Sequence, residues 1–198
     1  MPFIFKRLAL FISIAAGFAA DKEQAPFKAP PMSAFVHRQT SEKVTIGADA
    51  YDSGEKVKAA FGKVDPYKEG VLPVLVMIQN DGDEAIRLDK LSVAYVMDGG
   101  SRVDATPAKE VRYLYGVHRP GVIQGPGGAT KITKGKNPLA SWEIEGRGFA
   151  AQMLPPGQVA SGFFYFHTAL VHGSTLYLSG LSVAKTGREL LYFEIPLE

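Results

Sequence analysis

The chain has 198 residues with 22 Lys plus Arg, 20 Asp plus Glu and no Cys. Without Cys, disulfides and thiol chemistry are excluded, so core burial alone has to hold the fold. A formal charge of +2 gives no strong positive field, which argues against nucleic acid as a partner because phosphate binding depends on such a field.

Lys6 and Arg7 precede an apolar run from Leu8 to Ala20 that ends in small residues before Asp21 and Lys22. This is the three-part layout of a secretory signal peptide. The run of about thirteen residues is shorter than the roughly 20 that a membrane-crossing helix needs. A signal peptide over 1–19 is therefore expected, with cleavage after Ala19 placing Gly17 and Ala19 at the small-residue positions; an uncleaved anchor is the weaker alternative. Because no Cys follows the run, a lipid-modified cysteine is ruled out. Localisation to the periplasm or the extracellular space follows as an expectation. Loss of Lys6 and Arg7 leaves 20 basic residues against 20 acidic ones. The mature chain is then near neutral, carries no transmembrane segment, and has roughly 180 residues, a length at which one domain buries most of its apolar surface.

Residues 20–43 contain three prolines and no sustained period, and read as an extended lead-in. Val44, Ile46 and Ala48 alternate as in a half-buried strand. Ser53 is an N-cap candidate for a short amphipathic helix with Val57, Ala60 and Phe61 inward and Gly62 as its stop. The nearly continuous aliphatic run 71–80 reads as a strand buried on both faces. AIRL, LSVAYVM and SRVDAT then suggest an antiparallel meander. Thr106-Pro107 starts a short helix through about Tyr115. Residues 116–138 read as a long Gly-, Pro- and Lys-rich loop. Asn137-Pro138 repeats the cap-plus-proline signal for a second helix, with Leu139, Trp142, Phe149 and Met153 on one face and Gly146 and Gly148 interrupting it. After LPPGQ, three strands close the chain: VASGFFYFH, STLYLSGLSV and ELLYFEIPL. The first is aromatic on both sides, Phe163 and Tyr165 against Phe164 and Phe166, so another sheet or the Trp142 segment must cover one face.

The pairing of "PVLVMIQNDGDEAIRLDKLSVAYV" with a later "LPPGQVASGFFYF" resembles secreted bacterial immunoglobulin-like domains of the DUF4352 and MPT63-like type. The resemblance covers about residues 71–106 and 154–197; the helix near 53–62 and the 107–153 insertion depart from it. It implies a fold and an extracytoplasmic setting, and it implies no catalytic residue. The fold class expected is mainly β: an immunoglobulin-like antiparallel β-sandwich with two or three short helices, one domain over 44–198 with a helix and loop insertion at 107–153.

Each candidate for chemistry has a plainer reading. Asn80-Asp81-Gly82-Asp83-Glu84 lacks the spacing of a calcium loop, and Asp-Gly between apolar runs is a hairpin signal that calls for positive φ. His167 and His172 bracket TALV but show no third ligand nearby in sequence, unless His37 or His118 approaches in space. GPGGATKITKGKN fails the phosphate-loop pattern because Asn137 follows Gly135-Lys136. No G-x-S-x-G occurs. Glu143 and Glu145, two apart, fall on different sides of a helix. Sequence therefore assigns no catalytic, cofactor-binding or metal-binding residue and no cofactor. What remains is a stretch without acid between Glu110 and Glu143 that holds Arg112, Arg119, Lys131, Lys134 and Lys136, with His118 among them. These six residues form the candidate contact with an anionic partner, against the plainer reading of a solvated loop. The expected function is that of an exported, non-enzymatic binding or envelope-accessory protein whose partner is a protein or a cell-envelope component. A periplasmic small-ligand or metal-binding protein is the alternative, and a hydrolase a weaker third.

Overall fold

The computed structural model describes residues 27–116, 121–124, 130–133 and 137–198, the two short stretches by their backbone only. The signal-peptide segment lies outside these residues. A first sheet has the order β1-β2-β3-β10, built from His37–Ser41, Val44–Ala50, Leu72–Asn80 and Val159–Phe166. A second has the order β13-β11-β5-β6, from Phe193–Pro196, Thr175–Ser179, Ser92–Val96 and Arg102–Asp104. A small third sheet, β12-β4-β9, joins Ser182–Val183, Ile86–Arg87 and Met153–Leu154. Finally, Gly121–Gln124 (β7) and Thr130–Thr133 (β8) form a separate hairpin. Every pairing between these strands is antiparallel. The protein is a mainly β, antiparallel sandwich with two short helices.

β3 explains the layering. Successive strand residues point to opposite faces, and both faces are apolar here. Val74, Val76 and Ile78 enter a core shared with Val93, Tyr95, Leu176, Leu178, Phe193 and Ile195 of the second sheet. Leu75 and Met77 enter another core with Val57, Phe61, Val111, Leu139 and Ile144. The first sheet is thus a middle layer between the second sheet and a helical layer, and its fully buried side chains each contribute about 1.5–3 kcal/mol over exposure. β10 has the same duty: Phe166 enters the sandwich core, while Phe163 and Tyr165 enter the helical one.

In the helical layer, α1 (Gly54–Phe61) begins where Ser53 Oγ accepts the Lys56 N–H at 3.4 Å and stops at Gly62, whose φ is 67°. Val57, Ala60 and Phe61 are its buried residues, as the spacing predicts. The helix expected after Thr106-Pro107 is only a 3₁₀ turn, Val111–Tyr113. The second helix, α2, is limited to Trp142–Gly146. Its buried residue is Ile144, with Leu139 just before it, whereas Trp142 and Met153 are 70% and 54% exposed. A single turn has no continuous face to bury. Beyond it the chain extends along β10, with Phe163 N–H donating to Arg147 O at 2.8 Å and Phe149 N–H to Phe163 O at 3.1 Å. Gly162 permits this approach: a Cβ there would sit 2.5 Å from Phe149 Cα.

Three further expectations are corrected. The sheet begins before Val44, because β1 pairs with β2 over His37–Ser41 and Phe35 is buried. The meander is limited to β5–β6, since β3, β4 and β5 lie in three different sheets. The loop over 116–138 contains the β7–β8 hairpin.

The sandwich rims are also occupied. Beside β10 run Arg147–Phe149 and Thr106, whose N–H donates to Tyr165 O at 2.7 Å. At the opposite rim β1 lies against β13, with Gln39 Oε1 accepting the Glu194 N–H at 2.8 Å.

Candidate functional site

The acid-free stretch leaves and re-enters the helical layer at one place. Asn137 Nδ2 donates to Arg112 O at 2.7 Å, across 25 residues, and Asn137 Oδ1 accepts the Leu139 N–H at 2.9 Å. Between these ends the β7–β8 hairpin pairs Gly121 with Thr133 through to Gln124 with Thr130. Lys131 lies on β8 opposite Ile123. His118, Arg119, Lys134 and Lys136 lie outside the described residues. Arg112 differs from its expected role. Its Nη2 is 2.7 Å from Glu145 Oε2, so it ties the 3₁₀ turn to α2 and its charge is already partnered.

The other sequence candidates resolve into structural parts. Asn80-Asp81-Gly82 is a corner, although not a hairpin: β3 and β4 belong to different sheets, and Gly82 is not among the glycines with positive φ. Asn80, fully buried, makes the corner. Its Oδ1 accepts the Gly82 N–H at 3.0 Å, and its Nδ2 donates to Glu84 O at 2.8 Å and Leu154 O at 3.0 Å. His172 is exposed and paired with Glu198. Glu143 accepts the Ser141 hydroxyl and Glu145 takes Arg112. Among the described residues no three His, Asp or Glu side chains gather as a metal ligand set.

A feature that sequence reading missed lies just after α2. The Arg147 guanidinium sits 5.8 Å from the ring centres of Phe27 and Phe61 and 5.7 Å from that of Trp142. Its Nη1 is buried with no hydrogen-bond partner among the described residues. It lines a pocket of about 180 Å³ together with Phe27, Ala29, Leu75, Ser161 and Phe163. Below it, Tyr165 donates its hydroxyl to Ile144 O at 2.7 Å. Burial raises the Tyr165 phenol well above its ordinary range, with the Arg147 charge opposing that shift. The ring partners are at positions 27, 61 and 142, so no local pattern marks Arg147 beyond its place between two glycines. A larger cleft of about 440 Å³ opens where the chain passes from β6 to the first sheet; Ser92, Asp104 and Thr106 face the stacked Phe149 and Phe164 there.

No protein-family profile matches the chain, and no curated protein is similar to it. Solved structures with a similar arrangement include an uncharacterized β-sandwich protein from Clostridium difficile, at 9% identity and a TM-score of 0.31, covering 81% of this chain and 90% of that one. Another is a conserved hypothetical protein from Bacillus anthracis, at 12% identity and a TM-score of 0.34, covering 81% and 92%. Among the described residues no helix is long and apolar enough to cross a membrane.

Proposed function

We propose that this is an exported, non-enzymatic binding protein of the cell envelope, immunoglobulin-like in kind, that docks an anionic partner through the arm between Tyr113 and Asn137. The observation that carries the reading is the Asn137–Arg112 tie, which brings the two ends of the acid-free stretch together on the helical layer. Between those ends the sequence holds Arg119, Lys131, Lys134 and Lys136, with no acid between Glu110 and Glu143. Projections on a rigid scaffold are where binding residues concentrate, and a cluster of one sign attracts opposite charge. Export rests on Lys6, Arg7 and the short apolar run that follows them.

The test is binding to phosphatidylglycerol vesicles and, separately, to an immobilised acidic polysaccharide, over a range of salt. Wild-type protein is expected to bind at low salt and to be released as salt rises, because exposed charges are screened beyond about 8 Å at physiological ionic strength. Replacing Arg119, Lys131, Lys134 and Lys136 by Gln is expected to abolish retention, with a nearly unchanged Tm as the check that the fold survives. Equal retention of the quadruple variant at matched salt would overturn the reading.

A further inference from the structure

From the Arg147 pocket we infer a second, independent site, which binds a compact monocarboxylate with an apolar body. The guanidinium carries a full charge, yet no ion pair or hydrogen bond holds it among the described residues. The acids closest in sequence are engaged elsewhere, Glu143 by Ser141 and Glu145 by Arg112. Phe27, Phe61 and Trp142 surround it. Ring faces attract a cation, but they offer no directional acceptors to replace the water they displace. The buried Nη1 without an acceptor is satisfied by an oxyanion from outside, and the planar guanidinium fork matches a carboxylate.

The lining sets the rest of the ligand. Arg147 and Ser161 are its only polar side chains, and the backbone at Gly146, Gly148 and Gly162 makes the rest of the lining largely polar; Phe27, Ala29, Leu75 and Phe163 supply a smaller apolar part. One cationic side chain suits a monoanion better than a dianion, since a single charge is present to balance it. A pocket of about 180 Å³, open to solvent on one side, takes a carboxylate with a small hydrocarbon body and leaves the rest of a longer ligand outside.

Trp142 is the chain's one tryptophan and lies 5.7 Å from the guanidinium, so its emission reports on this site alone. Titration with cyclohexanecarboxylate is expected to give a saturable change, with cyclohexylmethanol giving none and inorganic phosphate binding more weakly. Arg147→Met should weaken binding at least about tenfold, the loss expected for a charge-assisted hydrogen bond. Arg147→Lys, which keeps the charge without the planar fork, should fall between and serves as the readout if Arg147→Met does not fold. An acetylated dipeptide ending in a free Leu carboxylate, titrated in parallel, tells a peptide terminus from a free acid by which binds more tightly. A wild type with no saturable response, an alcohol that binds as well as the acid, or an Arg147 variant with unaltered affinity would each overturn the proposal. The arm variant with four Gln residues should titrate like wild type, so the two sites fail or stand separately.

Discussion

Asn80 places a whole amide out of water and satisfies every part of it. Its backbone N–H donates to Gln158 O at 3.0 Å and its carbonyl accepts the Gly157 N–H at 2.8 Å, while the side chain ties Gly82, Glu84 and Leu154. Asn80→Ala would remove the partner of the Gly82 N–H, Glu84 O and Leu154 O, in two segments that meet at this corner. A cost of about 2–4 kcal/mol is expected, because unsatisfied buried groups carry their desolvation penalty. Urea denaturation checks it, and a loss below about 0.5 kcal/mol would mean that water replaces the amide. The sequence shows a turn at this point, because Asn, Asp and Gly favour one locally. It does not show where the chain goes next. β3 takes its partners from β2 and from Val159–Phe166, far along the chain, and local turn chemistry carries no record of that choice.

Elements were legible where their signals are local. Ser53, Gly62 and the spacing of Val57, Ala60 and Phe61 define α1 within ten residues, and the unbroken apolar run of β3 implies burial on both faces. α2 was not legible, because the spacing of Leu139, Trp142, Phe149 and Met153 imitates a helical face. Hydrogen bonds from β10 draw the chain out straight after Gly146 and leave Trp142 in solvent. The Arg147 site was hidden for a related reason: its rings converge only through tertiary packing. The two ends of the arm meet at the Arg112–Asn137 tie. Replacing residues 117–136 with a short Gly-Ser link is expected to keep the cooperative unfolding transition and lower Tm by only a few degrees, since Arg112, Asn137 and Glu145 still close the base. Loss of the native circular dichroism spectrum in this variant would show instead that the arm belongs to the core.

At the scale of the whole molecule, two buried phenols set an alkaline limit. Burial first, and the Asp49 charge second, push the Tyr51 phenol up to about 12, and burial raises Tyr165 as well. Folded-state values above the unfolded one give a contribution that is fully present below pH about 10 and is lost as pH rises through about 12 for Tyr51. Urea midpoints should therefore hold steady up to pH about 10 and fall above it. In Tyr165→Phe that decline should be shallower, while neutral-pH stability drops because Ile144 O loses its donor. A wild-type decline that begins well below pH 10, or one that Tyr165→Phe leaves unchanged, would contradict the assignment. The occupied rims carry a different consequence, for self-association. A copy approaching the first sheet edge-on finds Arg147–Phe149 and Thr106 already bonded to β10 and finds β13 lying across β1. Exposed strand edges are the templates on which sheets polymerise; here the chain covers the β10 edge with its own backbone at Phe163 and Tyr165, while β1 meets β13 through the Gln39 side chain. Strand addition beside Phe163 and Tyr165 is therefore blocked in the native state, which leaves β1 as the edge of this sheet where a second copy can pair.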